Sequence, residues 1–216
     1  MANKYVGGKY GLEIGGSSPL FSPLYPLMAG CDGLNFSSTT VWGDFGTDFM
    51  ASGKVMGKQF IGEATDLSML KKTYDFILSC NNIEHIANPM KAIEQWIEHL
   101  KPGGVIIIIA PRKESNFDHR RPVTPFTHLH QDYVNEIDET DLTHLDEILR
   151  LHDLPLDPPA GNLEQFKARS LKNIENRCLH HHVFDTGNLT EMLEFFGLII
   201  VESSLTVSDY IMIAER

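Results

Sequence analysis

Apolar residues gather along this chain in short runs separated by Gly, Pro and polar turns, a texture that predicts buried strands alternating with amphipathic helices. Residues 10–14 form a short apolar segment that breaks into a Gly/Ser/Pro cluster, as a buried strand entering a turn does. Residues 20–57 are rich in Gly, Ser, Pro and aromatic side chains, and only 33–36 predict a strand there. Residues 58–62 predict a third strand, closed by the polar turn 63–66, and 74–80, apolar on both faces, predict a fourth strand inside a parallel sheet. Asn88 and Pro89 open a helix as cap and first residue, Met90, Ile93, Ile97 and Leu100 recur at helical spacing, and Lys101-Pro102-Gly103-Gly104 stops it. A fifth strand follows over 105–110.

Strand, helix and strand in close succession make a βαβ unit, whose right-handed crossover places two parallel strands in one sheet. Beyond Pro111 the periodicity fades: 136–151 predicts a charged helix and 154–161 is Pro-rich and irregular. A last helix over 188–196 ends at Gly197, and two apolar runs, 198–202 and 210–214, predict a terminal hairpin. The expected architecture is α/β: a doubly wound, Rossmann-like, mostly parallel seven-stranded sheet with an antiparallel C-terminal hairpin and an inserted lid segment after strand 5. One domain over 1–216, with the insertion at about 112–181, accommodates all of it.

Composition narrows the partners. Acidic residues outnumber basic ones by 29 to 18, a formal net charge of -11, so nucleic acid and anionic membrane surfaces are not expected to bind. Cys31, Cys80 and Cys178 share no metal-binding spacing and suggest no disulfide framework. Residues 1–9 lack the apolar stretch of a signal peptide and the longest apolar run, 105–110, is too short to span a bilayer, so a cytoplasmic location is expected.

Two segments carry chemistry. Glu13-Ile14-Gly15-Gly16-Ser17-Ser18 directly follows the first strand, where small residues let backbone approach a ligand at the carboxyl edge of a sheet. Tyr74-Asp75-Phe76-Ile77-Leu78-Ser79-Cys80-Asn81-Asn82-Ile83-Glu84-His85-Ile86 is followed, after the helix, by Leu100-Lys101-Pro102-Gly103-Gly104. The two blocks, in that order and separation, resemble those of class I S-adenosylmethionine-dependent methyltransferases, and with the first loop and the terminal hairpin the resemblance covers most of the chain outside the insertion.

The resemblance implies S-adenosylmethionine as cofactor and S-adenosylhomocysteine as product. It implies that Glu13 orders the first loop around the methionine moiety and that Gly15, beside Gly16, lets the chain pass the cofactor. Ser17 stands where the family has a further glycine, and Asn35 where it has the acid that takes the ribose hydroxyls; an amide can still bond a hydroxyl, but these departures motivate an alternative, a methyltransferase-fold binding protein without catalysis. Glu63 and Ala64 fall at the adenine position, and Cys80 and Asn81 at the methionine side. The Glu84-His85 pair is chiefly structural in the family.

Methyl transfer also needs an acceptor held near the methyl and a base for its proton. The stretch from Phe117 to Thr124, followed by His128, His130 and Asp132, is similar to a subgroup linked to polysaccharide and sugar modification. His119 and His128 are the candidate bases, because imidazole titrates near neutrality, and Arg120, Arg121 and His130 the candidate acceptor-binding residues. The run His180-His181-His182, together with His128 and His130, raises a metal reading. At most His180 and His182 would share a side of an extended segment, and no Cys or carboxylate pair completes a set at standard spacing, so no metal is expected. The function expected is O-methylation of a small hydroxylated acceptor such as a sugar or sugar nucleotide.

Overall fold

The computed structural model describes residues 3–216. Met1 and Ala2, part of the stretch read for a leader and of the single expected domain, lie outside the described residues. A short helix α1 (Asn3–Val6) leads into β1 (Tyr10–Ile14), and β2 (Gly30–Asn35) follows after two single 3-10 turns. Next come the small hairpin of β3 (Thr39–Thr40) and β4 (Gly43–Asp44), then β5 (Asp48–Ala51), β6 (Lys54–Ile61) and β7 (Tyr74–Cys80). Helix α2 (Pro89–Glu98) and β8 (Leu100–Pro111) complete the βαβ unit. The segment beyond holds α3 (Phe126–Val134), α4 (Leu145–Leu151), α5 (Leu163–Ser170) and α6 (Asn173–Asn176), and the chain closes with α7 (Thr186–Phe195), β9 (Ile199–Leu205) and β10 (Asp209–Glu215).

The main sheet has eight strands in the order β5-β6-β2-β1-β7-β8-β10-β9. Strands β6, β2, β1, β7 and β8 run parallel, whereas β10 is antiparallel to both β8 and β9. The eighth strand corrects the expectation of seven. Asp48–Ala51 turns back on β6 through Ser52 and Gly53, at φ 50° and 73°, the left-handed pair that a two-residue hairpin turn of matching twist requires. β8 begins at Leu100, so Lys101–Gly104 ends the helix yet stays in the strand, with a register shift against β7 between Tyr74 and Phe76.

Both faces of the inner parallel strands β2, β1, β7 and β8 are dry over most of their length, whereas β6 is partly exposed. Leu12, Ile77, Ile106 and Ile108 pack under α2 and α7 with the fully buried Trp96, whose indole Nε1 donates to the Ala64 carbonyl at 3.1 Å. On the other face Phe76, Leu78, Val105 and Ile107 meet Tyr5, Phe21, Tyr25 and Phe49, so this side is covered by α1, single turns and β5 rather than by a second helical layer. Asn88 caps α2, its Oδ1 accepting from Lys91 N at 3.0 Å, while its Nδ2 donates to the carbonyls of Asp132 at 3.0 Å and Ile137 at 3.2 Å. One side chain therefore starts the helix and fastens α3 to it.

The expected helix over 136–151 is shorter. Asp138 and Asp141 accept from the amides of Thr140 at 2.9 Å and Thr143 at 3.2 Å, local turns that compete with helix, so only 145–151 coils as α4. Among the described residues no helix is long and apolar enough to cross a membrane.

Candidate functional site

The chain moves outward from β1 through β2 to β6 and then returns to the other side of β1 as β7, so the strand order reverses between β1 and β7. In open α/β sheets such a reversal leaves a crevice beyond the carboxyl ends of the strands. A cavity of about 590 Å³ opens there, lined from β1 by Ile14, Gly15, Ser17 and Ser18, and from β2 by Leu34, Asn35 and Phe36. Gly62, Glu63 and Ala64 follow β6 into it, and Cys80, Asn81 and Asn82 follow β7. Its volume suits a drug-sized or nucleoside-sized ligand.

Glu13 sits behind the first loop rather than on the cavity wall. Its buried carboxylate accepts from Ser18 N at 2.8 Å and from the Tyr25 hydroxyl at 2.9 Å, which folds the loop back on the strand it leaves. Burial raises its pKa to about 7 against the pull of those two donors. Gly15 has φ 75°, and a Cβ there would meet Asn82 Nδ2 at 2.4 Å. A Cβ on Gly16 would meet the Glu13 carboxylate at 2.1 Å, so both glycines are set by close approach. Asn35 Nδ2 donates to the Gly16 carbonyl at 2.9 Å, tying β2 to the loop, and Asn35 Oδ1 accepts no hydrogen bond among the described residues. Asn82 Oδ1, buried at the cavity, likewise has no partner.

The far wall was not legible in the sequence. Arg177, at the end of α6, reaches Glu63 Oε1 at 2.7 Å through Nη2 and Glu139 Oε2 at 2.9 Å through Nη1, and all three residues line the cavity. Trp42, exposed at the tip of the β3–β4 hairpin, also lines it, with its ring edge-on to His85 at 5.3 Å between centroids. His85 itself stands on the cavity wall. Its Nδ1 lies 3.1 Å from the Leu179 carbonyl and must donate there, which leaves Nε2 with the free lone pair. Burial keeps this imidazole well below its ordinary pKa, hence neutral. Beneath it, Glu84 is buried with Oε2 unpartnered, and burial raises its pKa to about 7.

Of the expected cofactor residues, the cavity brings together Gly15, Ser17, Asn35, Glu63, Ala64, Cys80 and Asn81, with Glu13 and Gly16 directly behind. The candidates from the segment after β8 lie elsewhere. His119 Nε2 contacts Asp153 Oδ2 at 2.8 Å and Arg120 Nη2 contacts the same oxygen at 2.9 Å. His128 Nε2 faces His144 Nε2 at 3.0 Å, and His130 packs among Phe126 and Phe195. Arg121, expected to hold an acceptor, is instead 1% exposed with its donors spent on Asp118 at 3.0 Å, Glu147 at 2.9 Å and the carbonyls of His180 at 2.8 Å and His181 at 3.1 Å. The segment does reach the cavity, through Glu139 and Arg177, whereas its start turns toward the terminal hairpin, Arg112 N donating to the Ser208 carbonyl at 2.8 Å, and His119, Arg120 and Arg121 are held by the carboxylates just named.

Residues 9–203 match the family described as methyltransferase domain, nine-tenths of the chain, and the chain belongs to that family. It is accordingly a methyltransferase, and its methyl donor is S-adenosylmethionine. Solved structures share the fold. A SAM-dependent methyltransferase of Methanosarcina mazei superposes with a TM-score of 0.58 at 15% identity, over 99% of this chain and 95% of that one. A methyltransferase of Haloferax volcanii, solved with the activator Trm112, gives 0.53 at 12% identity over 97% and 82%. A SAM-dependent methyltransferase of Aquifex aeolicus gives 0.50 at 12% identity over 98% and 84%. No protein of curated function matches the sequence.

Proposed function

We propose that the chain methylates a hydroxyl of a small polar acceptor, of the sugar or sugar-nucleotide class, in the cavity at the β1/β7 reversal. The observation that carries the reading is the convergence of four strand ends on one cavity that also holds a neutral imidazole. The residues fit the cofactor: Gly15, free of a side chain, lets Asn82 approach the first loop at the cavity wall, while Asn35 Oδ1 and Asn82 Oδ1 are acceptors without partners among the described residues. When bound, S-adenosylmethionine supplies an electrophilic methyl on a sulfonium. Asn35 is assigned to the ribose, Glu63 and Ala64 to the adenine, and Gly15, Ser17, Cys80 and Asn81 to the methionine end.

His85, rather than His119 or His128, is assigned as the base. Its Nε2 takes the acceptor's hydroxyl proton as the oxygen gains the methyl, and Nδ1 stays fixed on the Leu179 carbonyl. Trp42 offers an aromatic face and Glu139 with Arg177 a charged wall, a combination suited to a polyhydroxylated ring.

The test is calorimetric titration with S-adenosylmethionine, followed by a panel of sugars and sugar nucleotides assayed for S-adenosylhomocysteine release. Saturable binding in the wild type and its loss in Gly15→Asp, with unchanged far-UV circular dichroism, is the expected result. Wild-type protein that shows no saturation, or a Gly15→Asp variant of wild-type affinity, would overturn the placement.

A further inference from the structure

We propose that the segment after β8 holds a divalent transition-metal ion of the zinc class between His128, Asp132, His144 and His182. This site is apart from the cavity and does not depend on how the cavity is read. One ligand atom from each of the four side chains lies within 4.8 Å of the other three. His128 Nε2 is 3.0 Å from His144 Nε2 and 3.3 Å from Asp132 Oδ2. The second separation is long for an N–H···O hydrogen bond, which runs from about 2.7 to 3.2 Å. Both are close to the edge of a coordination tetrahedron: metal–nitrogen and metal–oxygen bonds of about 2.0–2.1 Å at tetrahedral angles put neighbouring ligand atoms about 3.3 Å apart.

The donors come from three separated segments, which explains why spacing along the chain did not show them. His128 and Asp132 share one face of α3 at i and i+4, His144 precedes the first turn of α4, and His182 lies in the extended stretch before α7. The run 180–182 divides as an extended chain requires, but not as expected: His180 contacts Asp118 at 2.5 Å, and only His182 joins the cluster. His182 is 1% exposed, its Nε2 lies 3.0 Å from the Ala87 carbonyl, and its buried Nδ1 has no partner. An imidazole that gives one nitrogen to a backbone carbonyl and keeps the other for a cation follows the division usual among metal-ligating histidines. Three imidazoles and one carboxylate fill four positions, which defines a closed, structural site rather than one with a vacant position for substrate. His128, with 40% of its side chain exposed, leaves a route of entry.

The test uses the untagged full chain after EDTA treatment. Calorimetry with Zn²⁺ is expected to give one equivalent bound at sub-micromolar Kd, and Co²⁺ to give the intense visible bands of a tetrahedral complex. His144→Ala and the near-isosteric Asp132→Asn are expected to weaken Zn²⁺ binding by at least about 100-fold. His130→Ala, on the same helix outside the cluster, is expected to bind as the wild type does. Absence of stoichiometric Zn²⁺ binding by the wild type, a weak six-coordinate cobalt spectrum, or wild-type affinity in His144→Ala would overturn the proposal.

Discussion

At the scale of single residues, the proposed assignment of His85 as the base turns on one carbonyl. Leu179 O fixes the proton of His85 on Nδ1, so the imidazole presents a lone pair at Nε2 without titrating first. Replacing His85 by Ala is expected to lower kcat by about 100-fold or more while changing the Kd for S-adenosylmethionine less than about threefold. His119→Ala, whose side chain sits on Asp153, is expected to leave both unchanged. Steady-state kinetics with the best acceptor, beside calorimetry, checks the pair; a full-rate His85→Ala enzyme would refute the assignment. Gly15, Asn35 and Glu63 could be grouped from the sequence, and they line one cavity, because each stands at or just beyond the end of a strand and strand ends are readable. Arg177 and Trp42 could not, because their places depend on contacts across long stretches of chain, 114 residues in the Arg177–Glu63 pair, which no local pattern encodes.

At the scale of elements, the parallel core was legible because burial on both faces leaves unbroken apolar runs such as Ile106–Ile109, whereas the segment after β8 is organised by polar ties. Arg121 is the central one, joining Asp118, α4 through Glu147, and the backbone at 180–181. His180 and Arg121 outweigh the burial of Asp118 and hold its pKa down to about 2. Arg121→Met would leave that carboxylate and two carbonyls without their guanidinium. It is expected to destabilise the chain by about 3–5 kcal/mol, the range for removing one partner of a buried ion pair, measured by urea denaturation. A loss below about 1 kcal/mol would show that the segment is held by its apolar contacts instead.

For the whole molecule, buried carboxyls and imidazoles together set how stability varies with pH. Glu13 and Glu84 have pKa values raised by burial to about 7, against 4.5 for an unperturbed carboxyl. Folding therefore keeps protons that the unfolded chain releases. The stabilisation is fully present below about pH 4.5 and is lost as pH rises through about 7. Asp118 acts oppositely, its contribution present above 3.8 and lost as pH falls toward about 2. The buried or half-buried imidazoles of His85, His144, His152, His181 and His182, whose pKa values burial lowers, also act oppositely to Glu13 and Glu84: their contribution is present above about 6.5 and lost as pH falls below it. Comparison with a variant isolates the carboxyl contribution: Glu84→Gln is expected to make the change of Tm with pH more positive than in the wild type between about pH 5 and 7, and an identical slope in thermal melts would contradict the account.

The Arg177 bridge has a consequence for guests of different size. Glu63, Glu139 and Arg177 border both the main cavity and a neighbouring one of about 220 Å³, so the partition between the two rooms is made of ion pairs rather than packed hydrocarbon. Dissolved salt is expected to weaken the Arg177–Glu63 pair, whose carboxylate is 43% exposed, and to leave the enclosed Arg177–Glu139 pair largely in place. On the function proposed above, a bulkier acceptor would gain room by parting Glu63 from its guanidinium, the outer latch of that partition.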